Sequence, residues 1–188
     1  MTALAHGDTK AFDHLYERYS NRLLYYFFRM LGQNEAKAQD FLQEVFLKII
    51  EKPELYRRGA RFSTWIFSIA HNMCKNEYRR LEVRKKVHKK RFVEAVTPAE
   101  ESSAYFEMEK YVDEGAFRQA LLTELEELDR EKRSLFLLRF QERFSIRQIS
   151  KVLDCAEGTV KSRLFYLTKN LAKKLQAYKI IIHESDHV

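Results

Sequence analysis

Apolar side chains recur from Phe12 through Leu15, Tyr16, Tyr19, Leu23, Phe27 and Met30 at steps of three and four, predicting an amphipathic helix that stops at Gly32. A second stripe is denser. Ala38, Phe41, Leu42, Val45, Phe46, Ile49 and Ile50 fall on one helical face, and Pro53, whose ring cannot continue a helix, ends it. After PELYRRGARF, Ser63 is placed to cap a third helix whose Ile66, Ile69, Ala70 and Met73 share a face. These three helices can close one core. The third then runs into RRLEVRKKVHKKR, too charged to bury, and TPAEESS around Pro98 reads as a boundary.

Beyond that boundary, Phe117, Leu121, Leu125 and Leu128 predict a further helix, and Leu135, Leu138 and Phe140 another. Ile146, Ile149 and Val152 define a short helix starting at Ser145, DCAEG makes a tight connection, and Val160, Leu164, Leu167, Leu171 and Leu175 continue at helical spacing. Short helix, tight turn and longer helix together predict a helix-turn-helix. The expected fold is all-α: two small helical domains, residues 1–93 and 117–188, joined by a flexible acidic linker over 94–116.

Composition agrees with this pattern. Of 188 residues 45% are apolar and 32% charged, with only five Gly and two Pro, which excludes a disordered chain and a turn-rich β-sandwich. Cys74 and Cys155 are far apart, without a CxxC or a neighbouring histidine, so neither a disulfide framework nor a zinc site is expected. No apolar run approaches the ~18 residues of a membrane span, and the N-terminus lacks the pattern of a secretory signal. A cytoplasmic protein without membrane insertion is the expectation.

The distribution of charge changes the picture. Residues 1–60 carry 9 basic and 8 acidic groups, 61–93 carry 10 and 2, 94–129 carry 2 and 11, and 130–188 carry 13 and 6. Two basic blocks in separate apolar-patterned regions are the footprint of a polyanion partner, since each Lys or Arg set on a phosphate releases condensed counterions.

Three sets of residues can carry chemistry. Opposite the Val160/Leu164/Leu167 stripe lie Thr159, Ser162, Tyr166 and Lys169, flanked by Lys161 and Arg163, a face suited to a major groove. Around the third helix, Tyr56, Arg57, Arg58, Arg61, Phe62 and Trp65 interleave rings and cations. Ser68, Asn72 and Asn76 follow at helical steps, with His71, Lys75 and Arg79 beside them. Such a surface suits unpaired bases, by stacking, amide hydrogen bonds and phosphate contacts; Trp65 and Phe62 are equally compatible with a core role. On the second helix Asp40, Gln43, Glu44 and Lys48 oppose the apolar stripe. A divalent metal between Asp40 and Glu44 lacks a further ligand, and adjacent Gln43 points to a hydrogen-bonding protein contact or a solvated face.

In order, FDHLYERYSNRLLYYFFRML, AQDFLQEVFLKI, RFSTWIFSIAHNMCKNEYRR and SIRQISKVLDCAEGTVKSRLFYLTKNL resemble bacterial RNA polymerase sigma factors of the extracytoplasmic-function (ECF) type, within the sigma-70 superfamily. The resemblance implies a promoter-specificity subunit with no covalent chemistry of its own, no cofactor and no metal, whose first domain corresponds to sigma region 2 and second to region 4. It implies that Asp40, Gln43 and Glu44 bind the clamp helices of the largest polymerase subunit. It implies that Tyr56, Arg57, Arg58, Arg61, Phe62, Ser63, Thr64 and Trp65, with Asn72 and Asn76 on the helix beneath, capture the melted minus-ten strand. Thr159, Lys161, Ser162, Arg163, Tyr166 and Lys169 would read the minus-thirty-five duplex. The acidic linker takes the place of the segment that threads toward the active-site and RNA-exit channels, and an anti-sigma factor is an implied partner. Gln39 stands where the family commonly has an acidic residue and Asn76 where Asp is frequent. Cys155 sits near the start of the recognition helix, where Ser or Asp would cap better.

Overall fold

A computed structural model describes residues 9–56, 59–88 and 115–176, and every described element is helical. In chain order these are α1 (Thr9–Met30), α2 (Glu35–Glu51), a 3-10 turn (Pro53–Leu55), α3 (Phe62–His88), α4 (Gly115–Glu127), α5 (Arg130–Phe136), a π turn (Leu137–Gln141), α6 (Ile146–Leu153) and α7 (Glu157–Lys174). They form two compact units, one holding α1–α3 and the other built on α4–α7. The predicted linker lies outside the described residues except for 115 and 116, which open α4.

In the first unit α1 turns into α2 through two left-handed residues, Gly32 and Gln33, and the side chain of Asn34 then caps α2 by accepting the Lys37 N–H at 2.9 Å. The three stripes meet largely as expected: Leu23, Phe27 and Met30 of α1, Ala38, Val45 and Ile49 of α2, and Ile66, Ala70 and Met73 of α3 are all buried, while Ile69 is half-buried and Phe67, outside the expected stripe, is buried with them. Each large member contributes about 1.5–3 kcal/mol by leaving water. Tyr16 and Ile50, expected in these stripes, are instead exposed; the Tyr16 ring meets Phe46 of α2 with centroids 4.9 Å apart, but that contact covers only part of it. The α3 start also differs from expectation. The Arg61 carbonyl accepts the Trp65 N–H at 3.2 Å, so Arg61 holds the cap position and Ser63 lies within the first turn. Cys74 is buried in this unit, and desolvation raises its thiol pKa, keeping it protonated.

Glu77 is a buried charge of the first unit, as is Arg29 of α1. Glu77 takes Lys37 of α2 at 2.5 Å and Arg80 of its own helix at 2.8 Å. Burial pushes its carboxyl upward, but the hydrogen bonds from Arg80 and Lys37 outweigh that and hold it below the ordinary carboxylate range. Glu77→Gln is expected to cost about 1–3 kcal/mol of stability at neutral pH. Because the folded pKa is depressed, the stabilisation is complete above the unfolded pKa and is lost as pH falls through the folded one. Thermal melts of the two proteins should therefore differ at pH 7 and converge in acid; a constant offset would show that the carboxylate charge is not what matters.

The second unit buries Leu125 of α4, Leu135 of α5, Leu137 and Leu138 of the π turn, and Val160, Leu164, Leu167 and Leu171 of α7. Arg133 of α5 donates to the carbonyls of Leu125 (2.9 Å), Leu128 (3.2 Å) and Glu126, closing the open end of α4. At this same end of α4, Lys174 of α7 bridges Glu124 and Glu127. Phe140, expected in a helix stripe, is exposed: the wider π turn carries it off the α5 periodicity, and it stacks on Phe136 with centroids 4.8 Å apart.

Candidate nucleic-acid interfaces

The helix-turn-helix is assembled by local chemistry. Ser145 and Gln148 form a reciprocal capping box: the Ser145 Oγ accepts the Gln148 N–H at 3.3 Å, and the Gln148 Oε1 accepts the Ser145 N–H at 3.1 Å. The turn is made by Asp154 in left-handed conformation (φ 51°), with the Cys155 N–H on the Ser150 carbonyl at 3.1 Å and the Ser150 hydroxyl on the Cys155 carbonyl at 2.6 Å. Ala156, one residue beyond Cys155, takes the cap of α7 with no side-chain bond.

On α7, Ser162, Lys161, Tyr166 and Lys169 are exposed, while Thr159 is half-buried and its carbonyl accepts the Ser162 hydroxyl at 3.1 Å. Arg163 is turned to the flank, where its guanidinium meets Glu131 of α5 at 2.9 Å. Both partners are accessible to solvent, so the pair orients Arg163 more than it stabilises the fold. Phe165, passed over in the sequence among the apolar residues of the helix, is 61% exposed and Tyr166 is 68% exposed.

In the first unit the segment before α3 folds into an aromatic cluster. Phe62 lies 5.1 Å from Tyr19 and 5.6 Å from Trp65, and Trp65 lies 5.3 Å from Tyr56, centroid to centroid. The Tyr56 hydroxyl donates to the Ala60 carbonyl, closing the loop. Trp65 and Phe62 are each half-buried and packed on neighbouring rings. Arg61 is exposed, Ser63 half-buried, and Thr64 buried with its carbonyl accepting the Ser68 hydroxyl at 2.8 Å. Arg57 and Arg58 lie outside the described residues. At ~3.6 residues per turn, Trp65, Asn72, Asn76 and Arg79 fall on one face of α3, and the two amides and Arg79 are exposed. His71 does not share that openness: it is half-buried, with Nδ1 3.3 Å from the Tyr26 hydroxyl.

The third set occupies α2. Asp40, Gln43 and Glu44 are exposed on the side away from the core, and Glu44 is bridged by Lys48 at 2.5 Å. Leu47, 54% exposed, extends the same face by one turn. Sequence periodicity could have found it, since Leu47 falls outside the buried stripe, but a lone exposed leucine carries no signal by itself. Among the described residues no three His, Cys, Asp or Glu side chains gather in a metal-holding group. No helix among them is long and apolar enough to cross a membrane.

Comparison with known proteins places these surfaces in a family. Residues 15–84 match sigma-70 region 2 and residues 118–165 match sigma-70 region 4. The chain is 31% identical over 180 residues to the RNA polymerase sigma-H factor of Pseudomonas aeruginosa, covering 90% of this chain and 89% of that protein. It is 32% identical over 163 residues to the ECF RNA polymerase sigma factor SigL of Mycobacterium tuberculosis, covering 86% and 87%. In fold it is similar to the sigma factor RpoE of Bartonella quintana, solved in complex with the anti-sigma factor NepR, with a TM-score of 0.68 at 20% identity, covering 89% of this chain and 98% of that one. With the two regions in order and relatives matched nearly end to end, the chain belongs to the ECF sigma factors of the sigma-70 family and directs promoter-specific initiation of transcription.

Proposed function

We propose that this sigma factor divides its work among the three surfaces. Asp40, Gln43, Glu44 and the adjoining Leu47 engage the clamp helices of the largest subunit of core RNA polymerase. The aromatic and cationic segment from Tyr56 to Trp65, including Arg57, Arg58, Arg61, Phe62, Ser63 and Thr64, holds the opened minus-ten strand with Asn72 and Asn76. Thr159, Lys161, Ser162, Arg163, Tyr166 and Lys169 on α7 read the minus-thirty-five duplex. The domains are residues 1–93 and 117–188, with 94–116 as the linker.

The observation that carries this reading is the line of exposed Asn72, Asn76 and Arg79 continuing the α3 face of Trp65, a member of the half-buried ring cluster. A half-buried ring can stack on an extruded base, amides can bond its edge and Arg79 can meet the backbone phosphate. Trapping an unstacked base offsets the few kcal/mol that unstacking costs, so recognition and melting become one event. The protein supplies no covalent step; phosphodiester synthesis belongs to the polymerase. The site of action is cytoplasmic, where polymerase acts, and an anti-sigma factor that covers the α2 face would hold the protein inactive; the Bartonella relative is itself in complex with an anti-sigma factor, NepR.

Run-off transcription with core polymerase tests the reading. Adding the purified chain to core enzyme and genomic DNA should produce a discrete set of start sites sharing two spaced upstream elements, and core enzyme alone should not. Start sites unchanged by the protein would overturn the proposal.

A further inference from the structure

Along the buried side of α3 the stripe Ile66, Ala70, Met73 steps on by four residues to Glu77, so a carboxylate stands where the helical period calls for an apolar side chain. Glu77 is only 6% exposed. Its Oε1 accepts Lys37 Nζ of α2 at 2.5 Å and Arg80 Nη2 at 3.0 Å, and its Oε2 meets Arg80 Nε at 2.8 Å. Lys37 is itself fixed in the first turn of α2, its backbone N–H held by the Asn34 side chain at 2.9 Å. Two of the surfaces described above lie within about two turns of this bond. Asn76 and Asn72 are one and five residues before Glu77, exposed on the opposite side of α3, and Asp40 and Glu44 are three and seven residues after Lys37.

Breaking such a pair from one side destabilises a protein, yet replacing both partners by apolar side chains of similar volume is often neutral, because attraction does little more than offset desolvation. What the pair adds over apolar packing is direction. Apolar contact is non-directional, so helices joined by it alone can slide or turn slightly with little loss, whereas a carboxylate shared between two cations accepts one arrangement. We infer that Glu77 is a positioning residue: through Lys37 it fixes the register of α3 against α2 and so presents Asn72 and Asn76 to the opened minus-ten strand. The inference rests on the proposed role of α3 in holding that strand. A helix held in register has less freedom to lose when the strand binds, which raises affinity without any contact between Glu77 and DNA.

The test uses holoenzyme assembled from the full chain and a single-stranded oligonucleotide carrying the minus-ten element of a promoter defined by start-site mapping. Lys37→Met removes the tie between the helices but leaves Glu77 on Arg80. Holoenzyme carrying it should bind the strand about threefold to tenfold more weakly, the scale of one further side chain that must be ordered on binding, while affinity for core polymerase stays at the parent's value. Lys37→Arg, which keeps a cation in reach, should restore strand affinity. Lys37→Met combined with Glu77→Leu should melt close to the parent and still bind the strand weakly, a separation that a purely structural role for the pair would not produce. Strand affinity at the parent's level in Lys37→Met or in the double variant, or lost in step with core binding, overturns the inference. A scrambled strand separates the two levels. A wild-type preference for the minus-ten sequence that persists undiminished in Lys37→Met overturns the Glu77 assignment alone, whereas a wild-type holoenzyme indifferent to scrambling overturns strand holding by α3 as well.

Discussion

Asp40→Arg combined with Glu44→Arg is expected to abolish co-purification with core RNA polymerase while leaving helicity unchanged. The two carboxylates stand on successive turns of α2, exposed and pointing away from the buried Ala38, Leu42 and Val45. Reversing both turns attraction into like-charge repulsion at a protein interface, which costs several kcal/mol, so affinity should fall more than about a hundredfold. The fold loses little, because among the described residues the bond sacrificed is the exposed Glu44–Lys48 pair, of a class worth about 0.3–0.5 kcal/mol. Leu47→Glu should weaken the same association without adding a positive charge, separating burial of the leucine from electrostatics. Circular dichroism and pull-down on the same preparations decide the matter; undiminished co-purification would remove α2 from the polymerase interface.

The second large effect concerns promoter opening. Asn72→Ala should slow formation of the open complex by tenfold or more, roughly the loss of one or two hydrogen bonds in a desolvated site, while closed-complex affinity changes little. A template carrying a pre-opened bubble over the minus-ten element should restore most of the rate, since the melting cost has been removed beforehand. Permanganate reactivity of unpaired thymines reports opening, and filter binding reports the closed complex. Arg61→Ala with Phe62→Ala should act in the same direction. Phe62, however, also packs on Tyr19, Tyr56 and Trp65. Each ring contact is worth about 0.5–1.5 kcal/mol, so the result counts only where the melting temperature is preserved. Equal loss of closed and open complexes, with no rescue by the bubble, would make this segment a duplex-binding or structural element.

Much of the fold was legible because its determinants are local. The stripes of α1, α2 and α7 have helical period, Gly32 and Pro53 mark ends, and Ser145 announces α6; each acts through neighbours within a turn, so the residue order suffices to read it. The outward set Asp40, Gln43, Glu44 follows from the same geometry, since a residue opposite a buried stripe must face out. Where local signals compete, reading the sequence fails: Ser63 is the better cap by residue type, yet Arg61 holds the position, because α3 begins where Phe62 can pack on Tyr19.

What the sequence by itself determined, then, was the two-unit helical plan, the helix-turn-helix and the family to which its motifs belong. Only the tertiary structure decided which apolar residues are left uncovered and which charged ones are engaged. Leu47, Phe140 and Phe165 are as hydrophobic as the core, and their exposure depends on whether another helix happens to lie over them. Glu77 is held by Lys37 from another helix and Arg163 by Glu131, partners distant in the chain. Hydrophobicity and charge belong to a residue, but burial and pairing belong to the packing of elements remote in sequence, and these are settled only when the helices close on one another.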